Sequence, residues 1–333
     1  MFVREEKPCY FLYELTMDGR SQTGVVACCA IDDYLGNVIK KHENTREEKE
    51  QDRIRHVDRI NAQTGPIFLA YRQDEAIRRL VARVKSQAPL YDFVTEDGVG
   101  HRVWRTADPE SCAALEAAFG QIPALYIADG HHRAASAVKV GLKRRKEHPD
   151  YTGEEPFNYF LSVLFPDEEL HILPYNRVVR DLNGMDEKEF LKAVEKNFEV
   201  ECVGTEAFAP EEKGSFGMFL DGSWYSLKAR ESCRSKDPVK GLDVSILQDC
   251  LLEPVLGIQD PRTDKRIDFV GGIRGLGELE RRTREDMRAA FSMYPTSMAE
   301  LLSVADAGRL MPPKSTWFEP KLRSGLFIHG LED

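Results

Sequence analysis

The sequence has no apolar stretch long enough to cross a bilayer, and its mean hydropathy is −0.43, so no transmembrane helix is expected. The start, Met1-Phe2-Val3-Arg4-Glu5-Glu6-Lys7, puts acid where a secretory leader needs a basic flank and an apolar core, so none is expected there. Positive charge is not in excess either. Lys+Arg 46 against Asp+Glu 56 leaves a net charge of −10, which argues against a general nucleic-acid or anionic-membrane binder but leaves room for a local basic pocket. Cysteine is scarce and scattered: seven residues, an odd number with no CxxC pair, indicate neither a disulfide framework nor a zinc ribbon. Cys28 and Cys29 lie in the apolar run from Val25 to Ile31 and read as small core residues. No internal repeat and no low-complexity tract is present. These absences predict a cytoplasmic globular protein.

What is present suits two domains. At 333 residues and 42% hydrophobic composition the chain has about twice the usual domain length and ample core. Strands at residues 9–13 and 24–28 flank the turn signal Asp18-Gly19-Arg20 and predict a hairpin. Thr45 with Glu48 fits a capping box, and Ile54, Val57 and Ile60 then recur at helical spacing. Residues 67–71 and 101–105 read as strands, and 75–84 and 109–119 as helices. Leu125-Tyr126-Ile127-Ala128, then Asp129-Gly130-His131-His132-Arg133, then Ala134 onward read as buried strand, tight turn and helix. The charged segment 143–155 reads as an exposed connection. Beyond it, strands are expected at 159–164, 172–173, 216–220, 224–227, 267–270 and 289–294, and helices at 186–197, 244–252 and 297–307. The class is α+β with mixed sheets, divided into domains 1–148 and 149–333, the second a mixed α/β domain.

The run from Asp129 to Arg133 is the densest chemistry in the chain. A helix N-terminus offers unpaired backbone N–H groups and a positive dipole end, and Gly130 lets backbone approach a ligand. Arg133 adds a forked donor that matches phosphate oxygens, and His131 and His132 add proton-transfer capacity. The plain alternative is that Asp129 caps the helix and the histidines are surface residues. Lys40-Lys41-His42-Glu43 is a second candidate, with Glu43 a general base and the lysines beside an anionic substrate; it reads equally as a solvated charge run. The Pro-rich tail puts Lys314, Ser315, Thr316, Lys321, Arg323 and Ser324 on irregular backbone, either as binding groups or as part of a crossover anchored by Trp317, Phe318 and Leu326. Gly271-Gly272-Ile273-Arg274-Gly275 matches neither the P-loop nor the dinucleotide fingerprint, and a tight turn into a helix accounts for it.

Four runs in this order carry a resemblance: Lys40-Lys41-His42-Glu43-Asn44-Thr45, Tyr126-Ile127-Ala128-Asp129-Gly130-His131-His132-Arg133, Phe269-Val270-Gly271-Gly272, and the segment from Pro312 to Lys321. They resemble the signatures of the domain of unknown function 1015 family over essentially the whole chain. Members of that family also carry an N-terminal extension with a Pro-Tyr-Asp-Val-like motif, which is not in this sequence, so a shortened start is expected. More distantly, the first half is similar to the ParB/sulfiredoxin superfamily and, within it, to free serine kinases. The resemblance implies a ParB/sulfiredoxin-like N-terminal domain whose helix-head turn, Asp129 to Arg133, holds nucleotide phosphates. It further implies that Glu43 assists a serine hydroxyl.

The leading expectation is therefore a small-molecule phosphotransferase acting on serine or phosphoserine, with magnesium and ATP or ADP. Glu43, Asp129, His131 and His132 are the expected catalytic residues. Gly130, Arg133, Lys41, Lys314, Ser315, Thr316, Lys321 and Arg323 are the expected phosphate or nucleotide contacts, with no metal held by the protein. The expected partner is a small anionic or amino-acid substrate, not nucleic acid and not a membrane. Two other readings stand beside it: a nucleotide-binding regulatory switch, and a metal-dependent hydrolase using His42, Glu43, Asp129, His131 and His132. The adjacent histidines and the missing HExxH spacing speak against the hydrolase.

Overall fold

A computed structural model describes residues 3–45 and 47–332. The chain divides into two compact units, Met1–Leu170 with Pro320–Asp333, and His171–Glu319. The class is mixed α+β. The division falls at residue 170 rather than in the charged segment 143–155, because the helix before that segment runs on through Glu147 and the following strand returns to the first sheet.

In the first unit, β1 (Tyr10–Met17) and β2 (Arg20–Ala30) form the expected hairpin, with Asp18 and Gly19 both at positive φ as a two-residue turn demands. Then come α1 (Ile31–Leu35), β3 (Ile39–Lys40), α2 (Glu47–Ile60), β4 (Ala62–Gln63), β5 (Ile67–Tyr71), α3 (Glu75–Lys85), β6 (Tyr91–Val94), β7 (Gly100–Thr106), α4 (Pro109–Phe119), β8 (Leu125–Asp129), α5 (His131–Glu147) and β9 (Tyr159–Pro166). The main sheet has the order β3-β8-β5-β9-β2-β1-β7-β6. It is mixed: β3 runs parallel to β8 and β5 parallel to β9, while β5 and β8 are antiparallel. Ile39, Ile67, Leu69, Ile127, Phe160 and Leu164 of the sheet pack with Ile77, Ala134, Ala137 and Val138 of the helices. Alternation along β2 buries Cys29 and leaves Cys28 exposed, so only the second of these thiols is a core residue.

The expected capping pair also shifts: Thr45 donates to Glu50, two residues beyond Glu48. The charged residues 143–147 finish α5 instead of linking domains. Their cations suit a helix C-terminus and pair with acids of other elements, Lys143 and Arg144 with Asp58 at 2.6 and 3.0 Å, and Arg145 with Asp32 at 2.7 Å. The C-terminal segment completes this unit. Gly325 N–H donates to the Thr64 carbonyl, residues 329–330 pair with β4, and Phe327 packs on Phe11 and Tyr13.

In the second unit, β10 (Ile172–Leu173), β11 (Tyr175–Val179), α6 (Glu187–Val194), β12 (Phe198–Gly204), β13 (Ser215–Leu220), β14 (Ser223–Ala229), α7 (Asp243–Leu247), β15 (Ile267–Gly271), α8 (Leu276–Glu285), β16 (Ala289–Met293), α9 (Met298–Asp306) and β17 (Trp317–Phe318) follow in order. The sheet β12-β14-β13-β16-β11-β15 pairs antiparallel throughout, and α8 packs on it over Phe219, Trp224, Val270 and Leu279. Capping boxes start α6 at Asp186 and α9 at Ser297.

Candidate functional site

Strand β8 is an apolar run whose interior is buried, and it ends where Asp129 and Gly130 turn the chain into α5. Gly130 adopts φ 100°, a left-handed conformation that costs a residue with a side chain roughly 1–2 kcal/mol. A Cβ there would also stand 3.0 Å from Nε of Arg133. The glycine thus lets Arg133 fold back over the turn. The N-cap of α5 is Gly130, which has no side chain to cap the helix, and the dipole end there is positive. Arg133 Nη2 and Lys321 Nζ each lie 3.6 Å from the same oxygen, Oδ2 of Asp129. Burial pushes the Arg133 guanidinium below its ordinary value; Asp129 opposes that effect and the neighbouring Arg53 adds to it. Cations therefore outnumber acids at this turn, the condition for holding an anion.

The parallel pairing of β3 with β8 brings the second candidate segment to the same place. Ile39 and Lys40 pair with Leu125 and Tyr126, so the chain leaving β3 runs beside the turn leaving β8. The carboxyl ends of parallel strands are a recurrent ligand-binding position in α/β sheets. His42 is 2% exposed and its backbone N–H points to Nε2 of His131 at 3.5 Å; the two rings meet edge to face at 4.5 Å. That contact makes Nε2 of His131 the acceptor and leaves the proton of its neutral ring on Nδ1. Burial lowers His42 to about 4, with Asp129 and the Ile127 backbone opposing. His131 is held well below its ordinary value by burial, His42, His132 and Lys41. A buried ring held neutral shapes the turn and does not donate protons near neutral pH; His132 beside it is half-buried. Lys41 stacks on Tyr34, 4.1 Å from the ring centre, and burial lowers its ammonium. Glu43 follows at the surface.

The remaining expected contacts lie on the C-terminal segment and in the second unit. Arg323 belongs to the first unit but donates to Thr95 Oγ1 at 2.8 Å and ion-pairs with Asp97 at 2.5 Å, so its guanidinium is engaged away from the turn. Lys314, Ser315 and Thr316 belong to the second unit. The Ser315 hydroxyl, 6% exposed, donates to the Pro312 carbonyl and serves the loop itself. Two groups near the turn, Glu50 and Arg53, escape sequence reading, while Ser324 is expected only as one hydroxyl of the tail. Glu50, buried on α2, takes hydrogen bonds from Lys139 and Thr45 that outweigh burial and hold its carboxyl below the usual range. Arg53 bears on Arg133, and Ser324 stands within 3.2 Å of where a Gly65 Cβ would be. Glu50 and Arg53 stand three residues apart on α2, a same-face spacing that the sequence records. Among the described residues no three His, Cys, Asp or Glu side chains gather as a metal ion would require. The head of α5 thus gathers the positive end of a helix dipole, Arg133 and Lys321 around the one carboxylate of Asp129.

A family profile described as "Protein of unknown function (DUF1015)" matches residues 1–245. No curated protein sequence matches the chain. Among solved structures, SbnI with C-terminal truncation from Staphylococcus aureus is similar at 9% identity, with 92% of this chain and 86% of that chain covered and a TM-score of 0.46. A free serine kinase in complex with AMP is similar at 14% identity over 90% of each chain, with a TM-score of 0.41. A conserved hypothetical protein from Pyrococcus furiosus is similar at 14% identity, over 90% of this chain and 94% of that chain, with a TM-score of 0.40. Likenesses of this depth carry no argument about activity.

Proposed function

We propose, from the premise that the chain belongs to the DUF1015 family, that this protein is a small-molecule phosphotransferase whose phosphoryl group is held at the head of α5. The observation that carries the reading is the uncapped N-terminus of α5 with Arg133 and Lys321 converging on Asp129, beside the segment Lys40 to Glu43. Phosphoryl transfer asks a protein mainly for positioning and charge stabilisation. Backbone N–H groups at the head of α5, the fork of Arg133 and the ammonium of Lys321 are the donors for the phosphoryl oxygens. The acceptor hydroxyl attacks phosphorus as the bond to the leaving phosphate oxygen breaks. Its proton passes to Glu43, and His132 supplies a proton to the leaving side.

The donor is a nucleotide, ATP or ADP. Magnesium would arrive on the nucleotide phosphates, and Asp129 is the carboxylate of the turn able to share it, since this ion is commonly held by one or two carboxylates and substrate phosphates. Serine is the best acceptor, and phosphoserine the phosphoryl donor in the reverse direction, because the Asp-Gly-His-type turn and the early glutamate resemble those of free serine kinases. The test is to incubate the full chain with L-serine and ATP, ADP or pyrophosphate and follow O-phosphoserine by phosphorus NMR in both directions. Formation of O-phosphoserine supports the reading. Saturable nucleotide binding with no transfer in any combination refutes it and favours the nucleotide switch.

A further inference from the structure

The second unit contains a charge imbalance that the reading above does not use. On β11, Tyr175 and Arg177 share one face of the sheet, and their partners across on β15 are Gly271 and Phe269. The loop from Pro312 to Phe318 lies on this face. A Cβ at Gly271 would come within 2.8 Å of the Trp317 ring, so only glycine lets the indole rest there. Trp317 meets Tyr175 edge to face at 5.0 Å, and Tyr175 in turn meets Phe269 at 6.1 Å.

Into this half-buried aromatic frame the chain sets two cations. Arg177 is 3% exposed; its guanidinium lies 5.4 Å from the Phe269 ring and donates to the backbone carbonyls of Tyr175 and, at 3.0 Å, Lys314. Lys314 is exposed, with its ammonium 5.6 Å from the centre of the Tyr175 ring. Among the described residues neither cation makes an ion pair. The nearby acids have other partners: Glu319 accepts from the Trp317 indole at 3.0 Å, and Asp268 pairs with Arg282 at 3.0 Å. A buried guanidinium ordinarily sits opposite a carboxylate, because carbonyl dipoles alone replace its lost hydration poorly. Lys314 also has φ 60°, a left-handed conformation that is unfavourable for a long side chain. The hydrogen bond from Arg177 to its carbonyl holds it there, and in that conformation the ammonium stands over the ring.

We propose that the second unit carries an oxyanion site of its own on this face, in which Lys314 contacts the phosphoryl or carboxylate group of a small ligand, Arg177 positions Lys314, and Tyr175 and Trp317 form the walls. All four of these residues belong to the second unit. It is tested in the full chain by indole NMR of nitrogen-15-labelled tryptophan, with inorganic phosphate and acetate titrated separately at constant ionic strength. The Trp317 resonance shifts saturably with at least one anion, while those of the buried Trp104 and Trp224 do not. Phosphate alone identifies a phosphoryl ligand, and acetate identifies a carboxylate. Lys314→Ala raises the midpoint tenfold or more, and Arg133→Ala leaves it unchanged. Arg177→Lys, which keeps the charge but loses the fork, raises the midpoint in the wild-type background and adds nothing to Lys314→Ala. A shift that does not saturate with either anion, or a midpoint unaltered in Lys314→Ala, overturns the proposal.

Discussion

Acidification is the perturbation for which the first unit makes the sharpest demand, because two buried histidines at the turn must stay neutral. His42 is faced by His131, by the Ile127 backbone and by Asp129, and Lys41 bears on His131; burial outweighs the carboxylate and lowers His42 from 6.5 to about 4. The unfolded chain therefore binds a proton at this position in a pH range where the folded chain does not. Stability is full above pH 6.5, falls as the pH drops below it, and reaches its limit near pH 4. At ~1.4 kcal/mol for each unit of pKa difference, His42 accounts for a loss of about 3 kcal/mol across that window. His131 is displaced in the same direction and adds to the loss. The assay is urea unfolding at pH 7, 6, 5 and 4.5, paired with proton–carbon NMR titration of the histidine rings. His42→Phe keeps an aromatic ring and the backbone N–H, so it should flatten the pH dependence by about 2 kcal/mol between pH 7 and 4.5 and leave the part due to His131. A histidine at position 42 that titrates near 6.5, or equal pH slopes in wild type and His42→Phe, would refute the reasoning.

Other consequences are equally open to measurement. Gly130→Ala must adopt a left-handed φ and push back the Arg133 guanidinium; it should lower stability by ~1–2 kcal/mol in urea titration and weaken nucleotide binding by calorimetry. Glu43→Gln should slow phosphoryl transfer by about 10²–10⁴ while nucleotide affinity stays within twofold, because a general base acts on the acceptor and not on the nucleotide. Gly271→Ala drives a methyl group into the Trp317 ring; a loss of about 1–3 kcal/mol is expected, with the indole resonance displaced even without added anion.

Much of the fold can be read locally, and what cannot has identifiable physical causes. β5 is an unbroken apolar run buried at every position, and α4 starts at Asp108 with Pro109 in its first turn, so both stand out in sequence. β11 does not, because Asn176 and Arg177 interrupt its apolar pattern. Their burial depends on distant partners, the Met293 N–H for Asn176 and the Lys314 carbonyl, beside the local Tyr175 carbonyl, for Arg177. β12 lies at an edge of its sheet, and Phe198 is its one buried residue, so little alternation shows. β3 has only two residues, yet its parallel register decides where Lys41, His42 and Glu43 lie.

The candidate site divides in the same way. Asp129 to Arg133 is legible because a glycine, a cation and two histidines follow a buried strand without interruption. That Lys321 reaches Asp129 while Arg323, two residues on, binds Asp97 follows from how the C-terminal segment crosses the first unit, which no local pattern records. Composition showed only that positive charge is scarce; the fold shows where it is concentrated, around Asp129 and around Tyr175.

Calorimetric titration of ADP into wild type and Arg133→Ala, at the same ionic strength, tests the phosphate-holding turn most directly. The account predicts saturable binding in the wild type that weakens at least tenfold in the variant. Equal affinity in both proteins would contradict it.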